Sequence, residues 1–358
     1  MMAEGATSGS TEPAAPARKS RKRQIITAIV GLVIMVAIFA FLFPRLSDYE
    51  NALTKLGEMP ALWLWLTIAA GLCNILVYPL TTDAALPGIG YRAAFVNRQA
   101  GFLVSNILPG GGAIAVGTQY AILAKYGVSN ARAAAAVAAD AVWTYLLTLG
   151  FPAIAVALLV IEGRSTAGYI VTAVIGLVVV IASIIVIAIV LRSPDGARKV
   201  AAFLQRPVDA VMRRIRRPSP DITDRLVEFN EHASAMVQSR WKQLTITNLV
   251  AQLAPMLVLW FALIGLGAFP QPLTIIEIFA AYSIALILTS FPITPGGLGT
   301  VDAALVGLLV AFGVDSSTAI AADLVWRLVW FLPQLLVGLG AFGLYWWDRR
   351  RDARRSVD

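Results

Sequence analysis

The chain has 358 residues, 58% apolar and only 14% charged, with a net charge of +8 and a mean hydropathy of +0.74. A water-soluble domain carries about 25% charged residues, so the balance excludes one and marks an integral membrane protein. The one cysteine (Cys73) lies in an apolar run and the one histidine (His232) in a polar segment, so a disulfide framework is excluded and neither a Cys/His metal centre nor a triad built on His232 is expected.

Residues 1–23 are rich in Ala, Ser, Pro and Gly and end in RKSRKR, which predicts a disordered, basic cytoplasmic tail. The apolar run Gln24–Phe43 is long and lacks a small-x-small cleavage site, so it reads as a retained helix rather than a signal peptide. Further full crossings are predicted at 60–80, 133–161, 166–191, 243–267 and 318–345, each long enough for about 30 Å of hydrocarbon. Two more apolar regions, 93–124 and 274–312, are interrupted by LPGGGA (108–113) and ITPGGLG (293–299). The expected fold is therefore an all-α membrane protein with about six full crossings and two Pro-Gly-broken hairpins.

Basic residues set the orientation. Five Lys or Arg lie in the N-terminal tail, eleven between Arg192 and Lys242, and five after Trp347. Placing all three groups in the cytoplasm puts both termini there. Parity then puts 44–59 and 162–165 outside and 81–92 inside. Region 93–124 begins and ends inside, and 274–312 begins and ends outside, so Gly127 and Gly313 fall on opposite faces.

The two hairpins repeat each other. PGG at 109–111 recurs at 295–297, GV at 127–128 recurs at 313–314, and ADAVW at 139–143 recurs as ADLVW at 322–326. The chain divides into the tail 1–23, a first unit 24–161, the opening helix of a second unit 162–191, a basic loop 192–242, the rest of that unit 243–347, and a basic tail 348–358. Each unit crosses three times, so the second copy is inverted, as in many secondary transporters.

A broken helix at membrane depth must be buried in protein or line a cavity. Pro109, Gly110, Gly111 and Gly112 in the first break, and Pro295, Gly296, Gly297 and Gly299 in the second, are candidate substrate-binding positions. At each break a new helix presents free N–H groups suited to phosphate or carboxylate. A tight turn between packed arms is the alternative. Ionisable residues inside the membrane are costly and are functional candidates by default. Asp302 lies one turn into the second returning arm. Asp323 and Arg327 are spaced to pair at i,i+4, as a structural ion pair or as part of a site. Asp140 is the repeat mate of Asp323, with Thr144 where Arg327 would be. Glu277 reads as a solvated interfacial charge. Arg92 and Arg98 read as snorkelling residues near the cytoplasmic mouth of the first hairpin, or as groups that recruit headgroups. Asn106, Gln119 and Thr289 are possible cavity-lining residues. The loop 192–242 reads as short amphipathic helices on anionic inner-leaflet lipid; no nucleic-acid fold accompanies its charge. No metal or cofactor is expected.

PGGLGTVDAAL (295–305), SNILPGGGA (105–113) and the hydrophobic layout over 24–345 resemble the flippase-like membrane family also called the lysylphosphatidylglycerol synthase transmembrane region. That family often has Glu where this chain has Asp302. The resemblance implies lipid translocation. In fused members a soluble domain makes the aminoacyl-phospholipid; the chain ends soon after the last crossing, so that domain, and enzyme activity with it, is not expected here. The expected function is translocation of a phosphate-bearing lipid or lipid-linked precursor across the cell membrane. A scaffold subunit of an envelope-lipid pathway, or a soluble-anion transporter, is the alternative.

Overall fold

Helices account for the elements of the computed structural model, which describes residues 49–108, 111–163, 167–214, 218–219, 221–290 and 294–355. The predicted basic tail 1–23 and the crossing 24–43 lie outside these residues. In chain order the helices are α1 (Tyr49–Gly57), α2 (Ala61–Val77), α3 (Leu80–Ala85), α4 (Tyr91–Ile107), α5 (Gly111–Lys125), α6 (Asn130–Ile161) and α7 (Ala167–Arg192). They continue with α8 (Pro194–Arg214), α9 (Ile222–Gly265), α10 (Ile275–Ile287), α11 (Thr300–Ala311), α12 (Ser316–Trp326) and α13 (Leu332–Arg355). Two 3₁₀ turns (Leu288–Ser290 and Pro295–Gly297) lie between α10 and α11, and a π-helical turn (Arg327–Phe331) joins α12 to α13.

Four spans among the described residues are long and apolar enough to cross a bilayer: Ala61–Ala85, Asn130–Ile161, Val237–Gly265 and Ser316–Arg349. The protein is an all-α, multi-pass membrane protein. Large apolar side chains such as Leu62, Leu72 and Ile154 face outward, as they do against lipid. The predicted crossing 166–191 corresponds to α7. The hairpin arms α4, α5, α10 and α11 hold only 17, 15, 13 and 12 residues. At 1.5 Å per residue none exceeds about 26 Å.

The basic loop differs from expectation. Residues 222–242 are not a separate surface helix but the first part of α9, which runs 44 residues and takes in the membrane-length span Val237–Gly265. Asp221 caps it by accepting from the Thr223 and Asp224 amides at 2.8 and 3.3 Å. No Gly or Pro then intervenes before Pro255, so nothing stops the helix at the membrane surface. Only α8 is the amphipathic surface helix foreseen, with Ala197 and Ala201 buried against its neighbours.

Contacts sort the connections into two groups. Lys55 pairs with Asp315 at 2.7 Å, Glu162 accepts from Thr274 at 3.4 Å, and Gly265 and Gly313 pack against Met59 and Pro272. Burial pushes the Asp315 carboxyl up, but donation by Lys55, Ser317 and Thr318 outweighs this and holds it below the ordinary carboxylate range. In the other group, Arg92 and Lys125 reach Asp348 at 3.5 and 3.9 Å, while Asn230 and Gln238 donate to the carbonyls of Val190 and Leu191. Each of the four long spans leads from one group to the other. The hairpin α4–α5 starts and ends in the second group, and α10–α11 starts and ends in the first. The hairpins also exchange partners: α4 packs along α13, and α10 packs along α6.

Candidate functional site

The second break is held open by backbone geometry. Gly296, Gly297 and Gly299 adopt φ of +63°, +68° and +81°, a region that favours glycine. A Cβ on Gly296 would also lie 2.5 Å from the Phe331 ring. The helix α11 then begins at Thr300, and Asp302 in its first turn accepts from the Gly299 amide at 2.6 Å. One carboxylate oxygen therefore occupies the helix N-terminus that the sequence offered to a phosphate.

The other oxygen of Asp302 takes Arg327. The Arg327 Nε donates to Asp302 Oδ1, and its two terminal nitrogens point to the carbonyls of Gly296 and Gly297 at 3.3 and 3.4 Å. The guanidinium also lies 5.1 Å from the ring centroids of both Trp326 and Phe331. Arg327 is 1% exposed and Asp302 5%, so this pair is closed in. The break seats an internal cation rather than presenting a bare cradle of N–H groups.

Pro333 explains how Arg327 is aimed. A proline lacks the N–H that would bond the carbonyl of residue 329 and its ring crowds that carbonyl. The chain widens into the π turn, where the Leu332 amide bonds back to Arg327. The freed Val329 carbonyl meets Gly71 of α2, where any Cβ would sit 2.5 Å away.

The expected Asp323–Arg327 pair does not form. Arg327 reaches across to α11 instead of back along its own helix. Asp323 is fully buried beside the Asp302 carboxyl, and no N–H or hydroxyl group among the described residues donates to either of its oxygens. Its charged neighbours are Asp302 and Arg327.

A second pair lies in the first unit. Arg98 of α4 donates to Asp140 of α6 and stacks over Tyr78, 4.1 Å from its ring centroid. Its side chain is 11% exposed, so Arg98 is not the snorkelling residue expected. The sequence signalled that Asp140 lacks a partner on its own helix, not which residue supplies one. The first unit keeps an acid at 140 but lacks the arginine four residues on, so its cation had to come from another helix. Arg92, by contrast, is exposed and pairs with Asp348. Glu277 is fully buried rather than solvated: it closes the start of α10 by accepting from the Thr274 amide at 2.8 Å.

Ring contacts join the two pairs. Arg98 stacks on Tyr78, Tyr78 meets Phe102 edge-on at 6.1 Å, Phe102 meets Phe331 at 5.9 Å, and Phe331 supports Arg327. The breaks converge on the same zone, since Leu103, Ile107 and Leu108 of the first hairpin pack with Leu298 of the second. Pro109 and Gly110 lie outside the described residues. Gly111 opens α5 tightly against α4, where a Cβ would lie 2.4 Å from the Val104 carbonyl. Gly112 has open space around it. Asn106 and Thr289 donate to carbonyls of their own helices, and Gln119 packs against Gly101.

No curated protein matches the chain. A family model described as the lysylphosphatidylglycerol synthase TM region matches residues 28–338, and both breaks, both arginine–aspartate pairs and Asp323 fall inside that range. The chain belongs to this family of membrane domains.

Proposed function

We propose that this protein translocates a phosphate-bearing lipid, or a lipid-linked precursor, across the cytoplasmic membrane, as a transporter rather than an enzyme. Family membership supports a lipid-related membrane role. The observation that carries the finer reading is the buried Arg327 guanidinium seated in the second break, with a second, largely buried guanidinium, Arg98, joined to it through a run of ring contacts. Guanidinium is a bidentate phosphate ligand, and here each is parked on a carboxylate that a phosphate can replace. Two hairpins, each with both ends in one group of connections and the two in opposite groups, built from arms too short to cross, support an inverted repeat with re-entrant arms and alternating access. The exposed face of α8, with Arg198, Lys199, Arg206, Arg213, Arg214 and the 76%-exposed Phe203, suits anionic lipid of the inner leaflet.

Two experiments test this reading. In vesicles containing fluorescent phosphatidylglycerol, outer-leaflet quenching reports flipping. The wild type is expected to flip, and Asp302→Asn to slow it by at least about tenfold, because a single charge in low dielectric is worth several kcal/mol. Asp302→Glu retains activity. A wild type no faster than empty vesicles removes the proposal. Topology is read by labelling single cysteines in a Cys73→Ser background. Gly127 and Gly313 have φ of +77° and +101°, so nearby Asn130, Gln271 and Ser317 carry the reporters. Cysteine at 130 should label from the cytoplasm, and at 271 and 317 from outside; 271 and 317 on different faces would exclude a returning second hairpin.

A further inference from the structure

The second site holds two acids and one base. Asp302 has already engaged Arg327, while Asp323 beside them is fully buried with no donor on either oxygen among the described residues. The charged or titratable groups on the elements packed around α12 are few. Asp302 comes from α11 and Arg327 from the π turn. Lys55 of α1 is bound to Asp315 and Thr318 at the start of α12, Tyr282 of α10 packs on Trp326 while donating to the Gln252 carbonyl, and α9, which also packs on α12, has no titratable residue between 243 and 265. Among the described residues, Asp302 and Arg327 are the charges that act on the Asp323 carboxyl. Two carboxylates against one guanidinium would leave an uncompensated buried charge, which proteins avoid by taking up a proton.

We propose that Asp323 is a proton-binding site whose occupancy is tied to the position of Arg327. In the closed arrangement Arg327 belongs to Asp302 and Asp323 is a neutral acid. The i,i+4 spacing on one helix also lets Arg327 swing back onto Asp323. In that move the Asp323 O–H bond breaks, the proton passes to Asp302, and the guanidinium transfers to the new carboxylate. Total charge is unchanged. The Gly296 and Gly297 carbonyls lose the donors that Arg327 now aims at them, and Asp302 loses its ion-pair partner, so the break is released. Asp302, now protonated beside the opened break, gives its proton to water entering there. Proton exchange and opening of the second hairpin become one event.

The coupling to lipid rests on the translocator reading; the proton site does not, and infrared spectroscopy tests it alone. Purified protein in detergent at neutral pH should show a protonated-carboxyl C=O band that is lost in Asp323→Asn. Asp302→Asn should lose the band as well, because the remaining acid then pairs with Arg327 as a carboxylate. Asp323→Leu gives the same loss with an apolar side chain of similar size, should the amide variant fold poorly. Retention of the wild-type band in a folded Asp323 variant overturns the site. In the vesicle assay an imposed pH gradient should change the wild-type flip rate several-fold and leave Asp323→Asn indifferent; a wild-type rate indifferent to the gradient overturns the coupling. Absence of any flipping counts against the translocator reading and leaves the infrared result to decide the proton site.

Discussion

Arg327→Gln should destabilise the folded membrane domain by about 3–5 kcal/mol, the range found when one partner of a buried ion pair is removed. The substitution strips from a buried cluster that contains Asp302 and Asp323 the one cation it has among the described residues. It also leaves the Gly296 and Gly297 carbonyls without the donors they now have at 3.3 and 3.4 Å. Arg327→Lys should recover little, because one ammonium cannot present the fork that reaches a carboxylate and two carbonyls together. The acids behave differently. Asp302→Asn leaves one carboxylate for one guanidinium, since Asp323 takes over, and should cost much less than Arg327→Gln. The double variant Arg327→Gln/Asp302→Asn should be more stable than Arg327→Gln alone, because it lowers the number of uncompensated acids. Thermal unfolding in detergent, monitored by loss of the monodisperse species, measures all of these. An Arg327→Gln protein that melts with the wild type would show that the guanidinium holds nothing together.

Much of this architecture was legible in the sequence because membrane segments obey simple rules. Apolar run length located the spans, and basic residues combined with parity led to the expectation of two hairpins, each returning to its own face. The contacts of Lys55 with Asp315 and of Arg92 and Lys125 with Asp348 are those such a scheme requires. Composition could not locate the start of α9, since a polar helix can continue unbroken into an apolar one and only capping residues mark its beginning. The site was half legible. Asp302, Asp323, Arg327 and Asp140 stood out because ionisable groups are rare at depth. Their partners did not, because Arg98–Asp140 and Arg327–Asp302 join residues 42 and 25 positions apart on different helices. Helical spacing pointed to Asp323 as the partner of Arg327; the π turn before Pro333 re-aims the side chain, and no spacing rule carries that information. Glu277 misled in the opposite direction, since a capping carboxylate and a solvated one look the same in sequence until the helix start is known.

The two Pro-Gly breaks share a motif but are not equally constrained, and alanine substitutions should separate them. Gly296→Ala meets two independent obstacles. Its φ of +63° costs an L-residue about 1–2 kcal/mol. Its new Cβ would lie 2.5 Å from the Phe331 ring tip, and forcing that contact costs about 1–3 kcal/mol more. Phe331 cannot yield freely, because its ring also touches Phe102 and Trp330 and lies against Arg327. The expected loss is therefore about 2–5 kcal/mol, accompanied by loss of flipping as Arg327 is displaced. Phe331→Leu in the same chain should return the steric share and leave the backbone share. Gly112→Ala is the control. Gly112 lies in the first turn of α5, and a methyl group there would have nothing within 4 Å, so alanine should be neutral or stabilising by up to about 1 kcal/mol. Equal melting temperatures for Gly296→Ala and Gly112→Ala would mean that the second break relaxes around the added methyl, and that the tight seat of Arg327 is not what holds the hairpin closed.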